Sequence, residues 1–480
     1  MKNRSLDLTT GDIFSKLIKL SLPIMISNFM QTVYNLTDTY WLGKMDVGAK
    51  EGVAIAGLAF PLIFFLSSFG FGFVVAGTSL VSQFKGAGKF DQIQKVLGQY
   101  VFISIIFAAL FLIGGYTFLE DVLKLLNTPE EIMKDSIIYI GVILPGIAFM
   151  FIFMVFQAIS HGLGDTISPM KAQMWSIGLN LFVDPILIYG MFSIPEMGVL
   201  GAAIATLAAR FLALVLMLRS SKKIMKDFIP TLADIKPDKD MLRKILSIGI
   251  PSSLSQSMTS FGFLLLQGFV NYYGTAVISV YSIGNRMTGF YMMPAMGISN
   301  ALSSMIGQNL GAGKMKRVEE SVGKAFLLVT IIMFIGGTFK FVFAAEITKF
   351  FINDAEIITM GIRMFRITAV ASFIFGFMFV FTGVFNGAGY TRQSMYFNVA
   401  RLWLFRIPLV LLFSGYLLNF DLKFPQILDG LLKYLSSPLK EIPYDALWWS
   451  MIVSNFIATI WAYLLYVKGD WKKGAIRSVK

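Results

Sequence analysis

The 480-residue chain contains no cysteine and a single histidine, His161. Disulfides, thiolate nucleophiles and Cys-based metal sites are therefore excluded, and a histidine cluster cannot form. Charge is scarce as well: Asp, Glu, Lys and Arg make up 14% of the chain against 56% hydrophobic residues, and mean hydropathy is +0.70. A soluble chain of this length does not read that way. The apolar runs are long and continuous rather than alternating, which excludes a barrel and leaves an all-α integral membrane protein. The scarcer sign is negative, with 28 acids against 41 Lys and Arg and a net charge of +13. In a soluble chain this balance would suggest nucleic acid. Here cationic loops on one face of a membrane explain it, and no nucleic-acid partner is expected. The first apolar run lacks a small-residue cleavage site and reads as a first transmembrane helix, not a removed signal peptide.

Runs bounded by Gly, Pro and charge predict twelve transmembrane helices near 15–41, 53–82, 94–118, 136–160, 167–190, 197–219, 243–271, 277–307, 322–345, 358–386, 394–417 and 446–467. Alternate connections are basic, carrying Lys85, Lys89 and Lys95, then Lys222, Lys223, Lys226 and Lys244, then Lys314, Lys316 and Arg317, then the tail's Lys468, Lys472, Lys473 and Arg477. The intervening ones hold acids such as Glu51, Glu120, Glu130 and Glu346. The positive-inside rule places both termini in the cytoplasm.

The chain repeats itself. Gln83-Phe84-Lys85-Gly86-Ala87-Gly88-Lys89 returns as Gln308-Asn309-Leu310-Gly311-Ala312-Gly313-Lys314, a shift of 225 (308 − 83). Gly162-Leu163-Gly164-Asp165-Thr166 returns as Gly387-Ala388-Gly389-Tyr390-Thr391 at the same shift, and Pro23 and Pro251 fall at matching places. An even number of spans per repeat restores direction, so the halves are parallel six-helix lobes, 1–228 and 229–480, with the cavity between them. The charged segment from Arg219 to Lys244 links them, and a polar insertion, Asp421 to Glu441, decorates the second.

Two acids remain inside apolar spans, Asp38 and Asp184. An ionisable residue in such a place usually serves an ion or substrate path. Tyr34 and Asp38 are one helical turn apart, as are Asn180 and Asp184, and Pro185 frees backbone groups beside the second pair. Both acids lie about 8–9 Å inside the outer end of their helices, and Thr206 comes down about 12 Å from the same side. Tyr34, Asp38, Asn180, Asp184 and Thr206 then form one oxygen-rich cluster in the first lobe. Either one carboxyl takes up a proton near neutral pH or a cation sits between the two. The plain alternative is a static hydrogen-bonded core. The second half does not copy the cluster, since Asp184 corresponds to Leu409 and Asn180 to Phe405 at the shift of 225 (409 − 184).

Gln256, Gln267, Asn285 and Arg286 of the seventh and eighth helices are candidates to line the cavity or to bond between helices. Arg210 and Arg401 are expected to snorkel to headgroups, whereas Arg406 is deeper and needs a partner. Gly86-Ala87-Gly88-Lys89 lacks the Walker spacing and reads as a tight turn used twice. His161 reads as a surface residue at the end of the fourth helix. Met and aromatic walls, drawn from 27 Met and 46 Phe, suit lipophilic cations.

The opening run LTTGDIFSKLIKLSLPIMISNFMQTVYNLTDTYWLG, the repeated Gly-Ala-Gly-Lys turn, Gly-Leu-Gly-Asp-Thr, Asn180…Asp184-Pro185 and Met197-Gly198…Gly201-Ala202-Ala203…Ala205-Thr206 resemble the multidrug and toxic compound extrusion (MATE) family over almost the whole chain. The resemblance implies twelve helices in two lobes around a cleft and export of drugs against an inward proton or Na⁺ gradient, with no prosthetic cofactor. It maps ion coupling onto Tyr34, Asp38, Asn180, Asp184 and Thr206, with Gln157 a weaker match, and helix bending onto Pro23. The seventh helix has Gln256 and Gln267, and the tenth, from Phe365 to Gly383, has no acid, which departs from NorM-like members and resembles the DinF-like branch. The ion stays open between H⁺ and Na⁺.

The sequence thus reads as an alternating-access antiporter, a monomer in the bilayer of a prokaryotic inner membrane, exporting lipophilic and often cationic small molecules. A lipid or lipid-linked oligosaccharide flippase of the same superfamily is the alternative and would need a more cationic cavity. An intramembrane enzyme would need an acid/base or metal constellation that one His, no Cys and two Asp do not supply.

Overall fold

The computed structural model describes residues 5–45, 49–224, 230–414 and 442–476, without the side chains of a few helical residues, Asp38 among them. Twelve long helices lie among these residues: α1 (Ile13–Leu42), α2 (Ala49–Gly86), α3 (Phe90–Leu125), α4 (Glu130–Gly162), α5 (Ile167–Tyr189), α6 (Gly198–Ile224), α7 (Lys239–Tyr272), α8 (Thr275–Gly311), α9 (Met315–Val342), α10 (Ala355–Ala388), α11 (Thr391–Phe413) and α12 (Asp445–Lys468). Each expected helix is present, and most run longer than expected. The second, expected over 53–82, covers Ala49–Gly86. Hydropathy marks only the part that suits lipid. The backbone goes on bonding past it until Gly88 takes a positive φ of 68°.

Among the described residues, nine helical segments are apolar enough over 18 residues to cross a membrane on composition alone. The long helices that fall short are α5, α7 and α8. They are the helices that carry Asn180, Asp184, Gln256, Gln267, Asn285 and Arg286. Lipid-like composition is diluted where polar groups face protein.

Local chemistry sets several helix ends. Asp238 caps α7, accepting from the amides of Asp240 and Met241, and Asp354 caps α10 through Ile357. Gly190, Gly389 and Gly469 end α5, α10 and α12 in the left-handed region. The linker contains a one-turn helix, Leu232–Ile235, closed by a Thr231/Asp234 capping box. It docks on α3, where the Gln99 side-chain amide donates to the carbonyls of Asp234 and Lys236.

The repeat is carried by whole helices. From Phe90 of α3 to Met315 of α9 is 225 residues (315 − 90), and from Glu130 of α4 to Ala355 of α10 is again 225 (355 − 130). The helices α2 and α8 start 226 apart (275 − 49), and α5 and α11 start 224 apart (391 − 167). Only α6 and α12 slip, to 247 (445 − 198), because the insertion lies between α11 and α12.

The lobes meet along α1, α2, α7 and α8, and the meeting is built on pairs of glycines. A Cβ on Gly72 of α2 would fall 2.5 Å from the Gly249 carbonyl of α7, and one on Gly297 of α8 would fall 2.4 Å from Met25 of α1. Gly72 and Gly297 are themselves 225 apart (297 − 72). At the end of the bundle that carries both termini, α2 and α8 cross directly. A Cβ on Gly86 would lie 1.9 Å from the Gln308 carbonyl oxygen, and one on Gly311 2.0 Å from that of Gln83. Only glycine allows backbones this close. The two helices are thereby clasped at the terminal end.

Candidate ion-coupling site

The first lobe assembles its polar residues where α1, α5 and α6 meet. Gly201 allows the approach of α6 to α5, since a Cβ there would lie 2.6 Å from the Leu187 backbone, and the Met197 amide donates to the Leu187 carbonyl at 3.0 Å. This register faces the middle of α6 toward the middle of α5. The Asn180 side-chain amide donates to Asp184 Oδ1 at 2.8 Å, and neither residue has any exposed surface. Asn180 Oδ1 has no hydrogen-bond partner among the described residues. One turn earlier, the Ser176 hydroxyl is tied to the Ala209 carbonyl at 2.7 Å. Tyr34 of α1 and Thr206 of α6 share a hydrogen bond of 2.9 Å between hydroxyls. Four of the residues named from sequence are thus brought together as two bonded pairs. Asp38 follows Tyr34 by one turn of α1, and its side chain lies outside the described residues.

Below Tyr34 lies a cavity of about 70 Å³, lined among others by Gln31, Met150, Phe153, Gln173 and Arg210. A volume of this size suits a small ion and a few waters. It is several times too small for a drug, whose pockets run to roughly 300–1,000 Å³. The Gln173 amide donates to Gln31 across the cavity wall. Neither glutamine stood out in the sequence, because one Gln in an apolar run carries no period or motif.

Arg210 corrects an expectation. It does not snorkel: it lines the cavity, and its Nη1 is buried without a hydrogen-bond partner among the described residues. Gly146 of α4 makes room, since a Cβ there would sit 3.1 Å from Arg210 Cδ. Arg401 does not snorkel either; it is 3% exposed and packs on Phe375. Arg406 finds its partners in Ser454 and Asn455. His161, expected at the surface, is buried at the end of α4, three residues before Gly164, whose carbonyl accepts from the Leu6 amide.

The remaining named residues are scattered. Gln157 sits five residues from the terminal end of α4, far from Tyr34 near the other end of α1. Pro23 is buried inside α1, which runs through it as one helix. Gln267 bonds Asn271 on its own helix, Gln256 is half-buried on α7, and Asn285 and Arg286 are exposed on α8. The Gly-Ala-Gly-Lys turns appear twice as expected, with the Lys89 amide closing on Phe84 and the Lys314 amide on Asn309, both at 2.9 Å.

This architecture has known counterparts. A family model described as MatE matches residues 23–186 and 251–412. The chain is 27% identical to a probable multidrug resistance protein, NorM, of Thermotoga maritima over 475 residues, covering 97% of this chain and 94% of that one. It is 27% identical over 400 residues to the probable multidrug resistance protein YoeA of Bacillus subtilis, covering 82% and 85%. Its fold matches a multidrug resistance MATE family transporter of the MOP superfamily in an outward-facing conformation, with a TM-score of 0.83, 23% identity and 98% of both chains covered. The MatE matches fall one in each half of the repeat, and together with twelve helices in two lobes they make this chain a member of the MATE family, a membrane transporter and not an enzyme.

Proposed function

We propose that the chain is a secondary active multidrug efflux antiporter, with lobes 1–228 and 229–480, that exports lipophilic and often cationic compounds in exchange for H⁺ or Na⁺ by alternating access. The boundary at 228/229 lies outside the described residues. The observation that carries the reading is the fully buried Asn180–Asp184 pair in a helix otherwise bound for lipid. A carboxyl placed there is costly unless it exchanges a proton or binds a cation. The adjoining small cavity supports an ion rather than a drug as its occupant, which leaves the cargo to the space between the lobes. The multidrug names of the relatives support the cargo class.

The terminal end carries Lys85, Lys89, Lys314, Lys316, Arg317, Lys472 and Lys473, and the positive-inside rule assigns that end to the cytoplasm of a prokaryotic inner membrane. The chain acts as a monomer in the bilayer. With the α2–α8 crossing closed, the cytoplasmic route is shut. Ion binding at Asp38 and Asp184 repacks α1, with Pro23, which lacks an amide hydrogen, as the place for it to bend. The cycle is completed when the crossing opens and the ion leaves inward.

The test is dye efflux from proteoliposomes with a pH gradient and a Na⁺ gradient imposed separately, for wild type and Asp38→Asn. Efflux driven by one gradient and lost in the variant supports the reading and names the ion. Wild-type efflux by the variant would sink it.

A further inference from the structure

The second lobe holds two buried guanidinium groups that ion coupling in the first lobe does not use. Arg401 and Arg406 are each 3% exposed. They lie ten and fifteen residues into the 23-residue α11 (401 − 391 and 406 − 391), near its middle, so neither is a helix-end residue reaching for headgroups. Among the described residues neither forms an ion pair with a carboxylate. Instead both point at one neutral acceptor, Asn455 Oδ1 of α12, at 3.4 Å from Arg401 Nη1 and 2.7 Å from Arg406 Nη2. Arg406 Nε donates to Ser454 at 3.1 Å, and Arg401 Nε is buried without a partner. The Arg401 guanidinium also lies 4.5 Å from the centre of the Phe375 ring.

The backbone is shaped to create this pairing. Residues Arg401–Arg406 form a π-helical turn within α11. In an α-helix, positions five apart point about 140° away from one another. The wider π turn brings them toward a common side, and such turns recur at functional sites. A fold that spends a distortion to bring two like charges together in an apolar span needs something to offset them.

The repeat sharpens the point. Arg401 occupies the position of Ser176 (401 − 176 = 225), and Arg406 lies at the depth in α11 that Asn180 and Asp184 bracket in α5, thirteen and seventeen residues from its start. Where the first lobe buries a carboxylate against α6, the second buries guanidinium groups against α12. A third buried cation, Lys340 of α9, 2% exposed, packs near Tyr291, Phe365 and Ser372, so α10 is flanked by positive charge between Phe365 and Phe375.

We propose that Arg401 and Arg406 form an oxyanion site that takes the carboxylate or phosphate group of an amphiphile, brought either by a zwitterionic cargo or by a phospholipid headgroup. The paired forks suit a two-oxygen acceptor. The site is closed in this conformation, and entry requires α11 and α12 to part.

The decisive variant is Asn455→Asp, which supplies the missing negative charge internally. Binding is measured on the purified full chain with three probes: norfloxacin, which carries a carboxylate; ethidium, which does not; and phosphatidylglycerol, counted by native mass spectrometry. The expected result is a raised melting temperature, about a tenfold or greater loss of norfloxacin or phosphatidylglycerol, and unchanged ethidium. The probe that is lost identifies the source of the oxyanion. Arg406→Gln should lose the same probe. A lowered melting temperature in Asn455→Asp would mean that the arginines are already satisfied, and the proposal fails. It fails equally if norfloxacin and phosphatidylglycerol both stay within about twofold, or if ethidium falls with them. Binding needs no transport, so this outcome is independent of the efflux reading.

Discussion

Gln83 and Gln308, 225 residues apart (308 − 83), each donate a side-chain amide hydrogen to a glycine carbonyl of the other lobe. Gln83 bonds Gly387 at 3.0 Å, and Gln308 bonds Gly162 at 2.9 Å. Both glutamines are fully buried, and their remaining oxygens are filled by the chain's own ends. Gln83 Oε1 accepts from the Ile476 amide at 3.2 Å, and Gln308 Oε1 accepts from the Leu8 amide at 3.1 Å. The α2–α8 crossing is therefore a reciprocal lock, completed by the backbone amides of Leu8 and Ile476. Unmaking it exposes four buried polar contacts, each costing roughly 1–3 kcal/mol if left unsatisfied.

Gly311→Ala should loosen this lock, because its Cβ would lie 2.0 Å from the Gln83 carbonyl oxygen. The two helix ends must then separate, and the population should shift toward opening at the terminal side by about fivefold or more, equivalent to ~1 kcal/mol. The chain has no cysteine of its own, so one cysteine placed at the buried Ser304 reports accessibility to an impermeant maleimide. Unchanged labelling would show that the crossing does not control access.

Asp184→Asn should leave the fold intact, since an amide can still accept from Asn180, while ion-driven efflux falls to background. The melting temperature and dye efflux, measured on the same preparation, separate the two effects. Retained gradient-driven efflux would remove Asp184 from the coupling site.

Tyr34→Phe and Thr206→Val each delete one side of a single hydrogen bond. Their effects on stability should be non-additive by about 1 kcal/mol in a double-mutant cycle. Additive losses would place the two hydroxyls in separate interactions.

The turn at Asp7 should be insensitive to its own carboxyl's titration over the physiological range. Partial burial raises the Asp7 pKa, but hydrogen bonds from the Thr9 amide and hydroxyl and from Thr10, together with the Lys16 charge, outweigh it and bring the pKa down to about 2 from 3.8. A depressed carboxylate contributes stability above its unfolded pKa and loses it as pH falls through the folded one, here between about pH 4 and pH 2. The group is exposed, so solvent screening limits the effect to ~1 kcal/mol. Asp7→Asn should cost that much at pH 7 and nothing near pH 2, as read from melting temperatures at both.

The helices and the repeat were legible because each follows from composition summed over some twenty residues or from a motif printed twice. Asn180 and Asp184 were legible because a carboxylate in an apolar span is rare and their spacing is one turn. Arg210 and Arg401 were misread because sequence gives depth along a helix but not the direction a long side chain takes. Gly146 and Phe375, which receive those guanidinium groups, lie on other helices. The π turn at Arg401–Arg406 left no signal, since an inserted residue in an apolar helix changes only the rotation between its faces. The lock at Gln83 and Gln308 was half visible: the repeated motif was plain, while the crossing of its bonds between lobes is a property of the packing.

That crossing has the symmetry of a dimer interface. A contact in which each partner offers the same residues and receives the same residues is isologous, the form in which two identical subunits meet about a two-fold axis. Gln83 to Gly387 and Gln308 to Gly162 have this form, as do Gly86 on Gln308 and Gly311 on Gln83. The helix-borne groups of the contact are thus matched between the halves, while the Leu8 and Ile476 amides that complete it come from unrelated places in the chain. Two halves that meet through matching groups at this end nonetheless differ in what they bury, a carboxyl at Asp184 in the first and guanidinium groups at Arg401 and Arg406 in the second.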